Sequence, residues 1–245
     1  MKNILIVFGV FLTLACNTTD NDSNPDNILL DKVLVFTKTS GFRHQSIEIG
    51  IKTIEGLGKQ NNFEVIQTED ASLFSTENLK QYQLVVFLNT TGDVLNANQE
   101  QAFKTFINNG GSFMGIHSAT DTEYEWAWYG ELVGAYFLNH PNPSSASITR
   151  VNSTHPSTKH LPEQWVRYDE WYNFKSIFED INVLLNLDES TYDGGENGTN
   201  HPIAWYHEYD GGRSFYTALG HTNESYVEPE FKQHLLGGIL YGLKR

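Results

Sequence analysis

The chain of 245 residues has one cysteine, two methionines and no long apolar run after its first fourteen residues. That cysteine, Cys16, lies in a segment that resembles a leader, so the rest of the chain has no thiol. Disulfides, cysteine-ligated metals and thiol catalysis are therefore excluded. Basic residues are also scarce. The chain has 16 Lys and Arg but 30 Asp and Glu, which gives a formal net charge of −14. Such a surface repels phosphate backbones, and nucleic acid is not an expected partner.

The N-terminus resembles a bacterial lipoprotein signal. A basic residue precedes an apolar run over residues 4–14, which is too short to span a bilayer, and a small residue precedes Cys16. The sequence predicts a signal peptide over residues 1–16 with Cys16 as the lipidated residue; an ordinary secretory signal is the alternative. Residues 17–30 begin with a polar, acidic stretch that predicts a tether. The protein is therefore expected in the bacterial cell envelope, lipid-anchored at the outer membrane or periplasmic face, with no other membrane contact.

The remainder, residues 31–245, has the pattern of one α/β domain. Apolar runs alternate with helical stripes, and runs that are apolar on both faces indicate a parallel sheet with helices on both sides. The later strands are not separated by long helices, so an added antiparallel β portion is expected. In the first half, strands are predicted over 32–37, 63–66, 84–88 and 112–116, helices over 47–57 and 97–107, and a short helix or turn over 73–79. In the second half, strands are predicted over 146–151, 165–168, 182–186, 203–206 and 214–218, before a helix over 231–243.

The most informative motif runs from Gly115 to Ala119 and follows a predicted buried strand. Folds of this kind expose a reactive side chain on a tight strand-to-helix turn there, usually Ser or Cys between two glycines. His117 occupies this position, and Ala119 replaces the second glycine. Because imidazole is a base or a metal ligand more readily than a nucleophile, the motif predicts an active site without acyl-enzyme chemistry. Ser118 lies one residue after the position that the nucleophile occupies in such motifs, and we assign it to substrate binding.

Three further histidines, His44, His140 and His221, fall on predicted loops, and His44 shares the carboxyl edge of the sheet with the histidine of the motif. Ligands of such sheets bind at that edge. Four neutral imidazoles that converge could hold Zn²⁺ or a similar divalent ion, with Asp121 or Glu170 as an oxygen ligand or as a partner of a ligand. Because no His-Glu-x-x-His spacing occurs, distant loops would have to assemble this site. A metal-free pocket with histidine as general base is the alternative.

Two loops combine aromatic residues with carboxylates, as sugar sites do, where rings stack on C–H faces and acids bind hydroxyls. One runs over residues 169–172, and the other, over residues 122–129, directly follows the His117 motif. Core aromatics beside solvated acids are the alternative. Arg43 could clamp a carboxylate or hydroxyl pair, or pair with a nearby acid. The predicted catalytic residues are His44, His117, Asp121 and Glu170; the metal ligands are His44, His117, His140 and His221; and the substrate-binding residues are Arg43, Ser118, Trp126, Trp128, Asp169, Trp171 and Tyr172.

Taken together, the motifs resemble the ThuA-like proteins, named for trehalose utilisation, over about residues 32–243. The matching runs are Gly41–Ile47, Gly115–Asp121, Leu132–Phe137 with His140-Pro141, Asp169–Tyr172, and His201–Trp205 followed by Gly220-His221. The resemblance implies a flavodoxin-like fold similar to that of class I glutamine amidotransferases. It does not imply their activity, because His117 stands where their cysteine falls. It implies a role in carbohydrate metabolism, with a sugar oxidoreductase as a candidate pathway partner and no nucleotide cofactor.

These observations predict a carbohydrate-processing enzyme of the cell envelope. The expected chemistry is proton abstraction next to a sugar carbonyl, or elimination of a glycosidic bond from a keto-sugar, assisted by histidine and aided by a metal. A carbohydrate-binding lipoprotein without turnover is the alternative. Plain glycoside hydrolysis by a pair of carboxylates is a third interpretation.

Overall fold

The computed structural model describes Met1 and residues 30–245. The predicted signal peptide, almost all of the tether and Cys16 lie outside the described residues. Within residues 30–245, no helix combines the length and apolar character that crossing a bilayer requires. The strands are β1 (Asp31–Phe36), β2 (Phe63–Thr68), β3 (Leu84–Leu88), β4 (Ser112–Ile116), β5 (Tyr136–Asn139), β6 (Ser144–Arg150), β7 (Gln164–Asp169), β8 (Asn173–Lys175), β9 (Asn182–Asp188), β10 (Pro202–Tyr209) and β11 (Gly212–Thr217). The α-helices are α1 (Ile47–Asn61), α2 (Thr76–Leu79), α3 (Ala97–Asn108), α4 (Ala127–Val133) and α5 (Pro229–Gly242).

Nine strands form one sheet in the order β2-β1-β3-β4-β11-β10-β9-β6-β7. The first five strands of this order are parallel. Counted along the chain within this half, their order is 2-1-3-4-5, which is the flavodoxin-like order. The remaining four strands are antiparallel. The predicted α/β fold with an added antiparallel portion is confirmed, and β11 is the late strand that extends the parallel half.

Helices cover both faces of the parallel half. Helices α1 and α5 pack on one face, where a Cβ added at Gly238 would lie 2.6 Å from the ring of Phe215. Helices α3 and α4 lie on the other face, where Phe103 of α3 stacks on Phe87 of β3 with ring centroids 5.5 Å apart. Strands β3 and β4 are buried along their whole length. Burial on both faces explains why their sequences are continuously apolar instead of alternating.

The antiparallel half curves back over the carboxyl edge of the parallel half. Three strands separate β7 from β11 in the sheet. Nevertheless Asp169, the last residue of β7, accepts hydrogen bonds from the backbone N–H groups of Gly220 and His221, which follow β11. Strands β5 and β8 form a separate antiparallel pair in which Asn139 lies opposite Asn173. The curved antiparallel half and the β5–β8 pair bring residues 140 and 170 to the edge where β1, β4 and β11 end.

Candidate metal centre

His117 stands on a sharp turn directly after β4. Its backbone is left-handed, with φ of +50°, a conformation that residues other than glycine rarely adopt. The turn is held from β11, because the hydroxyl of Tyr216 donates to the carbonyl of His117 over 2.7 Å. A Cβ added at Gly115 would lie 3.0 Å from the Cβ of Ala119, so the motif needs glycine there for close packing. The strand-to-helix elbow expected from the sequence is therefore present, with imidazole at its tip.

Four side chains from four loops converge at this tip. His44, His117, His221 and Glu170 each offer one ligand atom, and all four atoms lie within 4.8 Å of one another. Glu170 Oε2 lies 3.4 Å from His117 Nε2 and 3.0 Å from His221 Nδ1, and those two nitrogens are 3.3 Å apart. His44, His117 and Glu170 are buried or nearly so, while His221 is partly exposed. These four residues are called the histidine–glutamate cluster below.

The hydrogen bonds around the cluster leave a lone pair directed into it. His117 Nδ1 lies 2.7 Å from the carbonyl oxygen of Ala218 and must carry the proton, since a carbonyl only accepts. In the neutral imidazole, His117 Nε2 then presents its lone pair towards the Glu170 carboxylate. A backbone carbonyl on the far nitrogen is the arrangement that orients metal-ligating histidines. Without a proton or a cation between them, the lone pair and the carboxylate would repel each other.

The spacing of the cluster fits a tetrahedral divalent ion. Zinc bound at about 2.0–2.1 Å by four ligands implies ligand atoms about 3.3 Å apart. Three of the six separations in the cluster lie close to that spacing, and the ligand atom of His44 lies within 4.8 Å of the other three. Three imidazoles and one carboxylate are also a donor set that zinc accepts. The residues present therefore fit the metal predicted from the sequence.

The electrostatics of the cluster favour metal binding over protonation at His44 and Glu170. Burial, together with the neighbouring His117 and His221, lowers the pKa of His44 from 6.5 to about 2. Burial alone would raise the pKa of Glu170, but its contacts with His117 and His221 outweigh the burial and lower that pKa well below its usual range. Burial likewise opposes charge on His221, yet Glu170 raises the pKa of His221. A neutral imidazole and an ionised carboxylate are the forms that bind a metal.

Two more predicted residues lie beside the cluster but outside the set of four. His140 Nδ1 is 3.2 Å from Oε1 of Glu170, the carboxylate oxygen on the other side, and its side chain is 41% exposed. The four residues that share one spot therefore include Glu170, an oxygen ligand that the sequence offered, in the place where the prediction had His140. Asp121 accepts a hydrogen bond from the hydroxyl of Tyr124 over 2.7 Å. Burial raises the pKa of Asp121, although that hydrogen bond opposes the shift.

Asp169 supports the loop of the cluster residue His221 and does not face a substrate site. Its carboxylate is fully buried and accepts hydrogen bonds from the backbone N–H groups of Gly220 and His221 and from the hydroxyl of Ser225. It also pairs with Arg167 at 3.2 Å. A substrate cannot reach this carboxylate in the structure, which contradicts its predicted binding role. Asp169 instead fixes the loop that carries His221.

The structure places the other predicted binding residues in different surroundings. Tyr172 is buried with its ring centroid 4.3 Å from that of His117, so it packs against the cluster. The hydroxyl of Ser118 is buried 3.4 Å from Nδ1 of His44, where it orients this imidazole and is unsuited to attack a substrate. Arg43 turns away from the cluster and pairs with Glu48 and Glu69. The alternative interpretation of Arg43, pairing with nearby acids, is the one the structure supports.

The predicted tryptophan wall is not formed. Trp171 is fully buried, and its Nε1 donates to the carbonyl of Ser144. Trp126 and Trp128 stack on each other at 5.0 Å, and Trp128 Nε1 donates to Asp210 in the turn between β10 and β11, at the opposite edge of the sheet from His117. Trp171 packs in the core, and Trp126 and Trp128 pack against it partly buried, because burial of their apolar surface stabilises the fold.

Sequence reasoning missed a buried network that joins three loops under the cluster. Ser46 precedes α1 as its N-cap residue, but its hydroxyl donates to the carbonyl of Gly220 and leaves the helix end uncapped. Asn89, which follows β3 with φ of +51°, donates to the hydroxyl of Ser46 over 2.9 Å. The only available signal was the position of Asn89 directly after a buried strand. Phe42, which is exposed next to His44, was also missed because it stands alone in a polar loop.

The chain matches known proteins along nearly all of its described length. Residues 32–242 match the model of the ThuA family, described as trehalose utilisation. A ThuA-like protein from Bacteroides uniformis is 24% identical with a TM-score of 0.76, over 88% of this chain and 92% of that one. A ThuA-like protein from Parabacteroides merdae is 19% identical with a TM-score of 0.74, over 88% and 91%.

A more distant structure shares the fold alone. A protein from Thermoplasma acidophilum, described as part of a GMP synthase, is 10% identical with a TM-score of 0.55, over 88% of this chain and 95% of that one. No curated protein matches the sequence. Since the family model covers far more than half of the chain, the protein belongs to the ThuA family and is thereby related to carbohydrate utilisation.

Proposed function

We propose that the protein is a metal-dependent carbohydrate-processing enzyme, and that the histidine–glutamate cluster binds one divalent ion, zinc fitting best. The observation that carries this proposal is the approach of His117 Nε2, His221 Nδ1 and Glu170 Oε2 to within 3.0–3.4 Å of one another. The cluster gathers three imidazoles and a carboxylate with no lysine or arginine among them, and a bound ion would compensate the cost of burying these ligand atoms.

The bound ion would supply Lewis acidity, which polarises a sugar carbonyl or hydroxyl oxygen and acidifies the neighbouring C–H group. The chain's own residues then divide the remaining work. His140 is half exposed beside Glu170, and imidazole is a base suited to neutral pH, so His140 accepts the substrate proton or returns it to the leaving oxygen. The half-buried Asp121 is the second group placed for proton transfer. His44, His117, His221 and Glu170 would hold the ion and so fix its position against the reacting atoms.

The reaction that suits these groups is elimination of a glycosidic bond from a keto-sugar, or proton abstraction next to its carbonyl. Such a step requires a base that accepts the proton and an electrophile that polarises the carbonyl oxygen, both on the same face of the substrate. The family's description as trehalose utilisation supports a glycoside as substrate. A carbohydrate-binding lipoprotein without turnover remains the competing proposal, since the cluster could serve binding alone.

The test combines metal analysis with turnover. Untagged protein purified without chelators is analysed for metal, and a keto-disaccharide is incubated with it before and after EDTA treatment. We expect about one bound divalent ion per chain, and product formation that EDTA abolishes and added metal restores. The key variant is His117→Asn, because asparagine tolerates a left-handed backbone and should preserve the turn. It should lose the ion and at least 100-fold in turnover.

A matched control is His160→Asn, which removes an imidazole outside the cluster, one whose Nε2 bonds the carbonyl of Glu230. It should keep both metal and turnover. Metal-free wild-type protein that cannot be loaded with any divalent ion would refute the metal centre. A loaded protein that leaves the keto-disaccharide unchanged, while wild type and His117→Asn bind sugar equally, would favour the binding lipoprotein.

A further inference from the structure

A cleft of about 380 Å³ opens beside the histidine–glutamate cluster, and its chemistry goes beyond what the metal would need. It reaches the cluster at His44 and His221, which form its floor. A volume of this size lies within the range of small-molecule sites. The loop before α1 forms one wall with Phe42, and the segment 222–224, which follows β11, forms the other.

Phe42 is an exposed aromatic side chain held in a fixed place. It is 66% exposed, and its ring meets the imidazole of His44 edge-on, with centroids 4.9 Å apart and planes at 86°. The loop beneath it is anchored, because Thr91 Oγ1 donates to the carbonyl of Phe42 over 2.9 Å and accepts from the N–H of Gly41. An exposed apolar ring on an anchored loop leaves its face available for a ligand.

The walls of the cleft also present free polar groups. Gln45, Asn223 and Glu224 are exposed and line the cleft. Among residues 30–245, the side chains of these three make no hydrogen bond or ion pair with another residue. Two amides and a carboxylate offer both donors and acceptors, as a ligand that carries several hydroxyl groups requires.

The charge around the cleft selects against anions. No lysine or arginine belongs to its described lining, and Glu224 and the nearby Glu170 are acidic. The one cation on the adjoining loop, Arg43, turns away to pair with Glu48 at 3.1 Å and Glu69 at 2.8 Å. Because an anionic ligand would meet these carboxylates without a lysine or arginine as counterion, the metal-free cleft favours an uncharged ligand.

We propose that this cleft is a binding subsite for one uncharged pyranose unit, with Phe42 as the specificity-determining residue. A C–H face of the sugar stacks on Phe42, and the ring hydroxyls bind Gln45 and Asn223. The inference rests on the proposed function in one respect: the sugar is oriented so that its glycosidic bond lies over His44 and His221. Binding of the sugar ring itself requires no metal.

Calorimetric titration of the full chain with trehalose tests the subsite. Phe42→Ala should weaken trehalose binding at least tenfold, while Phe42→Trp should retain it, since a larger ring provides the same face. Tyr168→Ala is the matched control, because Tyr168 is 55% exposed on β7 and does not line the cleft. It should bind as wild type does. In EDTA-treated protein, glucuronic acid, a charged counterpart, should bind at least tenfold more weakly than glucose.

The outcomes separate this subsite from the metal-dependent reaction. His117→Asn should bind trehalose within about threefold of wild type, because the stacking wall is intact. Sugar binding that depends on Phe42 in a protein without metal or turnover would support the subsite and refute the proposed reaction. Unaltered binding in Phe42→Ala, preference of the metal-free protein for glucuronic acid, or no binding of trehalose and glucose to wild type would each overturn the subsite.

Discussion

His117 adopts a backbone conformation that costs on the order of 1–3 kcal/mol for most residues. Its neighbours maintain this conformation, because Tyr216 holds its carbonyl and the carbonyl of Ala218 holds its ring. The conformation directs the imidazole into the cluster, whereas a relaxed strand would turn it to one face of the sheet. Strain at this one residue therefore follows from the position that its side chain must take.

His234 in α5, a buried histidine outside the cluster, makes stability depend on pH. Burial lowers its pKa from 6.5 to about 3; its hydrogen bond to the carbonyl of Ser157 opposes the shift, and the nearby His160, Arg167 and His155 reinforce it. His234 thus stays neutral in the folded protein, while the unfolded chain takes up a proton near pH 6.5. Stability should fall as the pH drops from 6.5 towards 3, by up to about 1.4 kcal/mol per pH unit from this residue.

Urea unfolding at pH 7, 6 and 5 measures this dependence in wild type and in His234→Asn. Asparagine can donate the same hydrogen bond to Ser157 but does not titrate. The variant should be less stable at pH 7, because it fills the site less well, and its stability should decline less steeply with acid. Parallel curves for the two proteins would contradict the assignment.

The end of β7, in the antiparallel half of the sheet, is hydrogen-bonded to the loop after β11, in the parallel half. Asp169 there receives two backbone N–H groups of the loop after β11, one of them from His221. The loop can pass this closely because Gly220 has φ of +111°, where an added Cβ would lie 2.8 Å from the hydroxyl of Tyr226. The position of one cluster histidine therefore depends on a strand at the far end of the sheet order.

Asp169→Asn should weaken metal binding about 10–100-fold, because it loosens the support of a ligand. It should also cost about 1–3 kcal/mol of stability, since it removes one charged partner of the buried Arg167, which still pairs with Glu228. Affinity is measured by competition with a chromogenic chelator, and stability by urea unfolding. Leu84→Ala is the control: Leu84 is fully buried at the start of β3, far from the cluster, and the change should cost about 2–5 kcal/mol without altering affinity. Equal affinity in both variants would show that Asp169 only stabilises the fold.

For the whole molecule, we propose that a lipid on Cys16 anchors the protein to the cell envelope. A net charge of −14 provides no attraction to an anionic membrane surface, so attachment would depend on the acyl chains alone. In a bacterial host, wild type should sediment with membranes, resist washing with about 1 M salt, which screens surface charge, and dissolve in detergent. Cys16→Ser should appear in the soluble or secreted fraction. Release of wild type by salt alone would contradict a lipid anchor.

Much of the fold could be predicted locally. Strands such as β3 are continuously apolar, and Asn109-Gly110 directly follows α3. The spacing of apolar residues and the turn-forming residues therefore already indicated the parallel half. Its parallel strands also placed the loops carrying His44 and His117 at one edge. The tryptophans were misjudged, because an aromatic run such as 126–128 has the same composition whether it faces a ligand or packs inside the fold.

The sequence by itself determined the α/β class, the elbow at His117 and the kinds of ligand on offer, because each depends on residues close together in the chain. Only the tertiary structure decided which of them meet. Glu170 reaches the cluster because the antiparallel half curves back over the sheet, and His140 stops beside it because β5 pairs with β8. Curvature and strand pairing arise from long-range packing, which no local pattern encodes.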